Sequence, residues 1–193
     1  MKIVYIHGAT ASHNSFAFIQ EVIKAKDYLY IDYPRTKTAQ KNLEDMTRKI
    51  GSTTGPLFII CHSMGGLYAL HLLERFPKRI KQVVSLATPF AGSELAIWGR
   101  LMNDKYQLFN DIMPHSEFVK TTKYIEVKCP WTQIVTTVGD VPWMPLPNDG
   151  VVTRKSMTCR EDVEYVEITD NHYEIVQSGR VVKLLKETIS NFL

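Results

Sequence analysis

Residues 58 to 76 read FIICHSMGGLYALHLLERF: an apolar run of strand length passes through a single Ser, set between His62 and Met64, straight into an apolar helix. This junction is one step in a longer alternation. Apolar runs of strand character occupy Lys2 to His7, Tyr28 to Tyr33, Leu57 to Cys61, Gln82 to Ala87, Gln133 to Val138 and Glu164 to Ile168. Helical stretches near Ser15 to Lys26, Thr38 to Ile50, Met64 to Phe76 and Tyr173 to Leu193 lie between or after them. Strand alternating with helix predicts an α/β fold. The architecture expected is a three-layer α/β/α sandwich, with a mostly or wholly parallel sheet of about six strands covered on both faces.

With 193 residues and 45% hydrophobic composition the chain has material for one sizeable core and too little for two ordinary domains. Residues 1–193 are therefore expected to form one domain. Phe90 to Lys128 is longer than a simple crossover requires, so one or two extra helices are expected there, as a lid- or cap-like insertion at about 90–128. Leu95, Ile97, Trp98, Leu101 and Met102 supply its apolar bulk. The Pro-rich VPWMPLPNDG reads as a long loop.

Several function classes drop out. No opening stretch has the regions of a signal peptide, and no apolar run approaches the roughly 18 to 20 residues that cross a bilayer, so a cytoplasmic location is expected. Cys61, Cys129 and Cys159 are an odd number of thiols, which points to reduced cysteines ahead of a Cys129–Cys159 bridge. The net charge of +3 comes from scattered Lys and Arg, with no basic run or aromatic platform for nucleic acid.

A Ser squeezed between a strand and a helix in such a sheet lies at the strand's carboxyl end, where ligands bind. Gly65 permits close backbone approach, and the helix start directs N–H groups at developing negative charge. The segment CHSMGG resembles the GHSMGG form of the G-x-S-x-G nucleophile elbow of the α/β-hydrolase superfamily, particularly its lipases and esterases. Cys61 stands where the motif has its first Gly.

Four further segments follow in the family's chain order. IVYIHGAT is similar to the His-Gly turn that supplies half of a lipase oxyanion hole. VSLATPFAGS is similar to the TPH-x-GS pocket segment, with Phe90 in place of His, and Thr88 to Ser93 read as a pocket wall. PNDGVV resembles the loop that carries the triad acid of bacterial lipases, and EITDNHYEI places a His before the last helix.

The resemblance implies Ser63 as nucleophile, Asp149 as acid and His172 as base, with the backbone N–H groups of Ala9 and Met64 as the oxyanion hole. Asp140, after the strand QIVTTVGD, competes with Asp149 for the acid's role. It also implies an α/β-hydrolase fold lacking the two leading strands, because the His-Gly turn follows the first strand here and the third in the family. The family's strand order then leaves an all-parallel core of six.

The implied chemistry is carboxylic-ester hydrolysis through an acyl-enzyme, lipase- or esterase-like, on a small-molecule or lipid ester. No metal or organic cofactor is called for. Trp98, Leu101, Met102, Trp143, Met144 and Leu146 are candidates for an acyl pocket, for transient contact with a lipid surface, or for plain core cover. Acyl transfer or thioester cleavage by the same triad, and a catalytically silent binding module, are the alternatives. Asp32, in YIDYPRT, ends the second strand near the crevice as a candidate for substrate contact or for a structural role before the Pro-containing turn, and Arg35 and Lys37 are candidates for an anionic head group or solvated surface. Oligomeric state has no signature in the sequence.

Overall fold

The computed structural model describes residues 1–97, 105–139, 141, 144 and 146–192. Trp98, Leu101, Met102, Asp140 and Trp143, singled out above, lie outside the described residues. Six strands, β1 (Lys2–Ile6), β2 (Tyr28–Ile31), β3 (Leu57–His62), β4 (Ile80–Leu86), β5 (Trp131–Thr136) and β6 (Glu164–Ile168), form one sheet in the order β2-β1-β3-β4-β5-β6. Every neighbouring pair is parallel. This is the wholly parallel six-stranded sheet expected from the sequence.

The pleat sorts side chains into two cores, because successive residues of a strand point to opposite faces. On one face Val4 and Ile6 of β1 and Leu57, Ile59 and Cys61 of β3 pack under α2 (Ala39–Gly51) and α3 (Met64–Arg75). On the other face Ile3 and Tyr5 of β1 and Phe58 and Ile60 of β3 pack under α1 (Ala17–Ile23) and the last helix, Gly179–Phe192. β3 is buried along its whole length, as a central strand covered on both faces must be.

Among the described residues, α4 (Gln107–Asp111) and α5 (Glu117–Thr122) are short helices in the long connection between β4 and β5. Leu108, Phe118 and Val119 join the core on the α2–α3 face, so this part of the insertion is core cover. α5 starts at Ser116, whose hydroxyl accepts the Val119 N–H as a cap. Four-residue α6 (Arg154–Met157) was not foreseen; Thr153 caps it by accepting the Ser156 N–H.

Two helices differ in extent from expectation. A 3₁₀ turn at His13–Phe16 precedes α1, and Lys24 in the left-handed region ends it. The stretch after His172 is not continuous: a 3₁₀ turn covers Glu174–Gln177, Ser178 is extended, and α7 (Gly179–Phe192) starts afresh. Ser-Gly is a breaker pair, and the Ser178 carbonyl accepts the Val182 N–H at 3.1 Å to open the new helix. All three cysteines are free thiols.

Candidate active site

The β3–α3 junction holds Ser63 at φ 52° and ψ −125°, a region that costs a non-Gly residue on the order of 1–3 kcal/mol and persists where surrounding structure over-determines it. Two contacts hold the turn: the Ser63 N–H donates to Leu86 O at 2.8 Å, and Gly66 N–H donates to Ser63 O at 3.0 Å. Gly65 is required by close approach, since a Cβ there would lie 2.2 Å from the Ile6 carbonyl oxygen. β1 and the start of α3 therefore touch backbone to backbone, which brings the His7-Gly8 turn over the Ser.

Cys61 fills the motif's first position without disturbing it. Its side chain is fully buried in the core between β3 and α3, with Sγ 3.8 Å from Val84 O, and burial pushes the thiol's pKa up so that it stays neutral. Here it acts as a small hydrophobe.

The structure brings Ser63, His172 and Asp149 together from three separate segments. His172 Nε2 lies 3.1 Å from Ser63 Oγ, and His172 Nδ1 lies 2.7 Å from Asp149 Oδ2. Local chemistry explains each placement. Asn171 accepts the Tyr173 and Glu174 N–H groups, both at 2.9 Å, and so curls the chain around His172. Gly150, at φ 93°, turns the chain so that Val151 and Val152 N–H donate to Asp149 Oδ1 at 3.0 and 2.7 Å. Gly139 clears the way for that turn, because a Cβ there would be 2.0 Å from Gly150 N.

Burial pushes the Asp149 carboxyl's pKa up. Bonds from His172, Thr136 and the Val152 amide outweigh it and hold the group below the usual carboxylate range. Asp149 is thus an anion facing the imidazole. Its competitor, Asp140, lies outside the described residues.

Two contributors had no sequence signal. Thr136, at the end of β5, donates its hydroxyl to Asp149 Oδ2 at 2.5 Å. His62, buried beside the nucleophile, places Nε2 2.9 Å from the His172 carbonyl oxygen, with its ring centroid 4.9 Å from that of His172. The His172 N–H donates to Asp149 O at 3.1 Å, so the residue is held at both backbone ends. Burial and then the neighbouring His172 depress the His62 pKa to about 3. His62 therefore stays neutral, with Nε2 as donor and Nδ1 without a hydrogen-bond partner among the described residues.

The amide of Met64 belongs to the first turn of α3, where N–H groups lack intrahelical acceptors. Ala9 and Ser63 line the same cavity, and Gly8 passes so close that a Cβ on it would be 3.1 Å from Ser63 Cβ. That cavity has a volume of about 830 Å³. Its walls are chiefly apolar, including Ala9, Leu95, Phe109, Ile112 and Val152, and no described lining residue is Asp, Glu, Lys or Arg.

Other candidates fall elsewhere. Of Thr88 to Ser93 only Ser93 lines the cavity; Phe90 is core, its ring 6.0 Å from that of Trp131. Met144 is buried outside the cavity lining and Leu146 is exposed. Lys37 pairs with Asp45, Arg35 stacks over Tyr106, and His71 is buried with Nε2 3.3 Å from Phe118 O. Among the described residues no group of three His, Cys, Asp or Glu stands close enough to hold a metal ion.

Residues 29–139, more than half of the chain, match the family described as Hydrolase_4, serine aminopeptidase, S33. The chain belongs to this α/β-hydrolase family. In sequence, no curated protein matches this hydrolase. Its fold is shared with the mature form of the Bacillus licheniformis lipase BlEst2 (TM-score 0.71, 18% identity, covering 97% of this chain and 91% of that one). A metagenomic carboxyl esterase, MGS0156, superposes with a TM-score of 0.72 at 12% identity over 100% of this chain and 76% of its own. Mouse alpha/beta hydrolase domain-containing protein 10 gives 0.65 at 18% identity, over 99% and 88%. What these neighbours share with the chain is the α/β-hydrolase fold.

Proposed function

We propose that the protein is a serine hydrolase that cleaves carboxylic esters, with Ser63 as nucleophile, His172 as general base and Asp149 as the acid. The observation that carries this reading is the His172 imidazole bridging the Ser63 hydroxyl and the buried Asp149 carboxylate. His172 Nε2 takes the Ser63 proton as Oγ attacks the ester carbonyl, and Asp149 fixes the tautomer and stabilises the resulting imidazolium. The amides of Ala9 and Met64 hold the oxyanion. Collapse expels the alcohol, protonated by His172, and leaves an acyl-Ser63. Water deprotonated by His172 then releases the acid and restores the serine.

The cavity favours a neutral acyl group over an aminoacyl one. A peptide's α-ammonium needs a carboxylate partner when it leaves water, and the described walls offer none. The volume, about 830 Å³, suits a small-molecule or lipid ester. No described helix is long and apolar enough to cross a membrane.

The test is a panel of p-nitrophenyl esters of increasing chain length, run beside a leucine p-nitroanilide and matched thioesters. Ester turnover is expected, with kcat/KM exceeding that for the aminoacyl anilide by roughly 10²-fold or more. Faster turnover of the anilide, or of the thioesters, overturns the assignment of substrate class.

A further inference from the structure

The end of β2 grips the loop that carries the Ala9 amide, and it does so from the side away from the nucleophile. Asp32 is half exposed and accepts two bonds from one residue across that loop. His13 N–H donates to Oδ1 at 2.8 Å, and His13 Nδ1 lies 2.5 Å from Oδ2. The next residue holds the loop's other end. Tyr33 OH donates to His7 O at 2.7 Å, its N–H donates to His7 Nε2 at 3.3 Å, and the two rings stack with centroids 4.2 Å apart.

His7 Nδ1, 2.7 Å from Gly8 O, serves as the donor that fixes this tautomer. Burial depresses the His7 pKa, so the ring is neutral, and its 3.4 Å approach to Asp32 is not an ion pair. Ala11 N–H closes the turn onto Gly8 O at 3.2 Å. The loop from His7 to His13 is thus fastened at both ends to two consecutive residues just past the end of β2, with Ala9 between the fastenings.

Asp32 itself does not line the cavity that holds Ser63. It lines a separate recess of about 330 Å³ with His7, Ser12 and His13, and Ala11 lines both spaces. The loop is the partition between them. Substrate contact is therefore not the role the geometry gives this carboxylate.

We infer that Asp32 is a positioning residue for the oxyanion donor at Ala9, acting through its two-point hold on His13. The inference rests on the proposed role of the Ala9 amide. A backbone donor contributes to catalysis only when it is aimed where the charge develops, and the carboxylate removes the freedom of the segment that aims it. Outright loss of one oxyanion donor costs ~10²–10³ in kcat, so a loosened one is expected to cost about tenfold.

The experiment compares an ester with its thionoester, whose sulfur accepts hydrogen bonds poorly and is indifferent to the donor. In Asp32→Ala, kcat for the ester is expected to fall about tenfold with KM little changed, while the thionoester rate holds, so the ratio of the two falls about tenfold. Asp32→Asn retains an acceptor for the His13 amide and should recover much of the ratio, with folding checked by circular dichroism. An equal fall of both rates, or no fall in either, overturns the inference. A wild-type ratio no larger than that of the uncatalysed reaction overturns both the inference and the oxyanion assignment, whereas a large wild-type ratio unmoved in Asp32→Ala removes only the inference.

Discussion

Asp149→Asn lowers kcat for ester hydrolysis by about 10⁴-fold while the protein stays folded. The substitution preserves shape, so the Val151 and Val152 amides keep their acceptor at Oδ1. What changes is the group facing His172 Nδ1, now 2.7 Å from a carboxylate oxygen. An amide NH₂ at that position turns the imidazole tautomer round and puts a proton on Nε2, where a lone pair must receive the Ser63 proton. Steady-state kinetics with the best ester of the panel checks this. A loss of tenfold or less would show that Asp149 is not the acid.

Stability falls as the solution is acidified from pH 7 to pH 4, and the fall begins above the range in which ordinary carboxylates titrate. The sign follows from His62. Burial, then His172, lower its folded pKa to about 3, against an unfolded value near 6.5. Between those values the unfolded chain binds a proton that the folded chain refuses, so unfolding becomes easier as pH drops. For His62 alone the loss between pH 7 and pH 4 is ~3 kcal/mol. His7 and His71, also depressed by burial, act in the same direction. Asp111, raised by burial, opposes them over part of the range. Asp149, Asp32 and Asp162, each held low, lose their contributions only as pH falls further. Urea midpoints at pH 7 and pH 4 measure the effect, and His62→Gln should flatten the dependence. Equal midpoints for the wild type would contradict the neutral, buried state of His62.

The fold was legible because each signal was local. Alternating apolar and amphipathic stretches place all six strands within about two residues of their observed ends, and the covered-both-sides composition of β3 matches its burial. The Ser63 junction was legible for the same reason, since strand, Ser, Gly and helix are contiguous. Parts of the wider site were not. Thr136 bonds Asp149 across 13 residues and His62 meets the His172 carbonyl across 110, and neither residue type nor spacing marks such a partner.

Asp32 shows the limit from the other side. The sequence placed it at a strand end near the crevice, but which face of the loop it holds depends on His13, a residue 19 positions away. The break at Ser178 was missed because the apolar period runs through it on either side; the extended backbone of one residue was enough to divide the helix. Tryptophans read as pocket or lipid-contact candidates, Trp98 and Trp143, lie outside the described residues, so the apolar character of the cavity rests on Leu95, Phe109, Ile112 and their neighbours.

The central claim is that Ser63 is an activated nucleophile. The most direct measurement is intact mass after incubation with a fluorophosphonate, for the wild type, Ser63→Ala and His172→Ala, with peptide mapping of any adduct. The account requires one adduct on Ser63 in the wild type, none in Ser63→Ala, and labelling slowed by orders of magnitude in His172→Ala. A folded wild type that stays unlabelled, or an adduct that persists in Ser63→Ala, would contradict it.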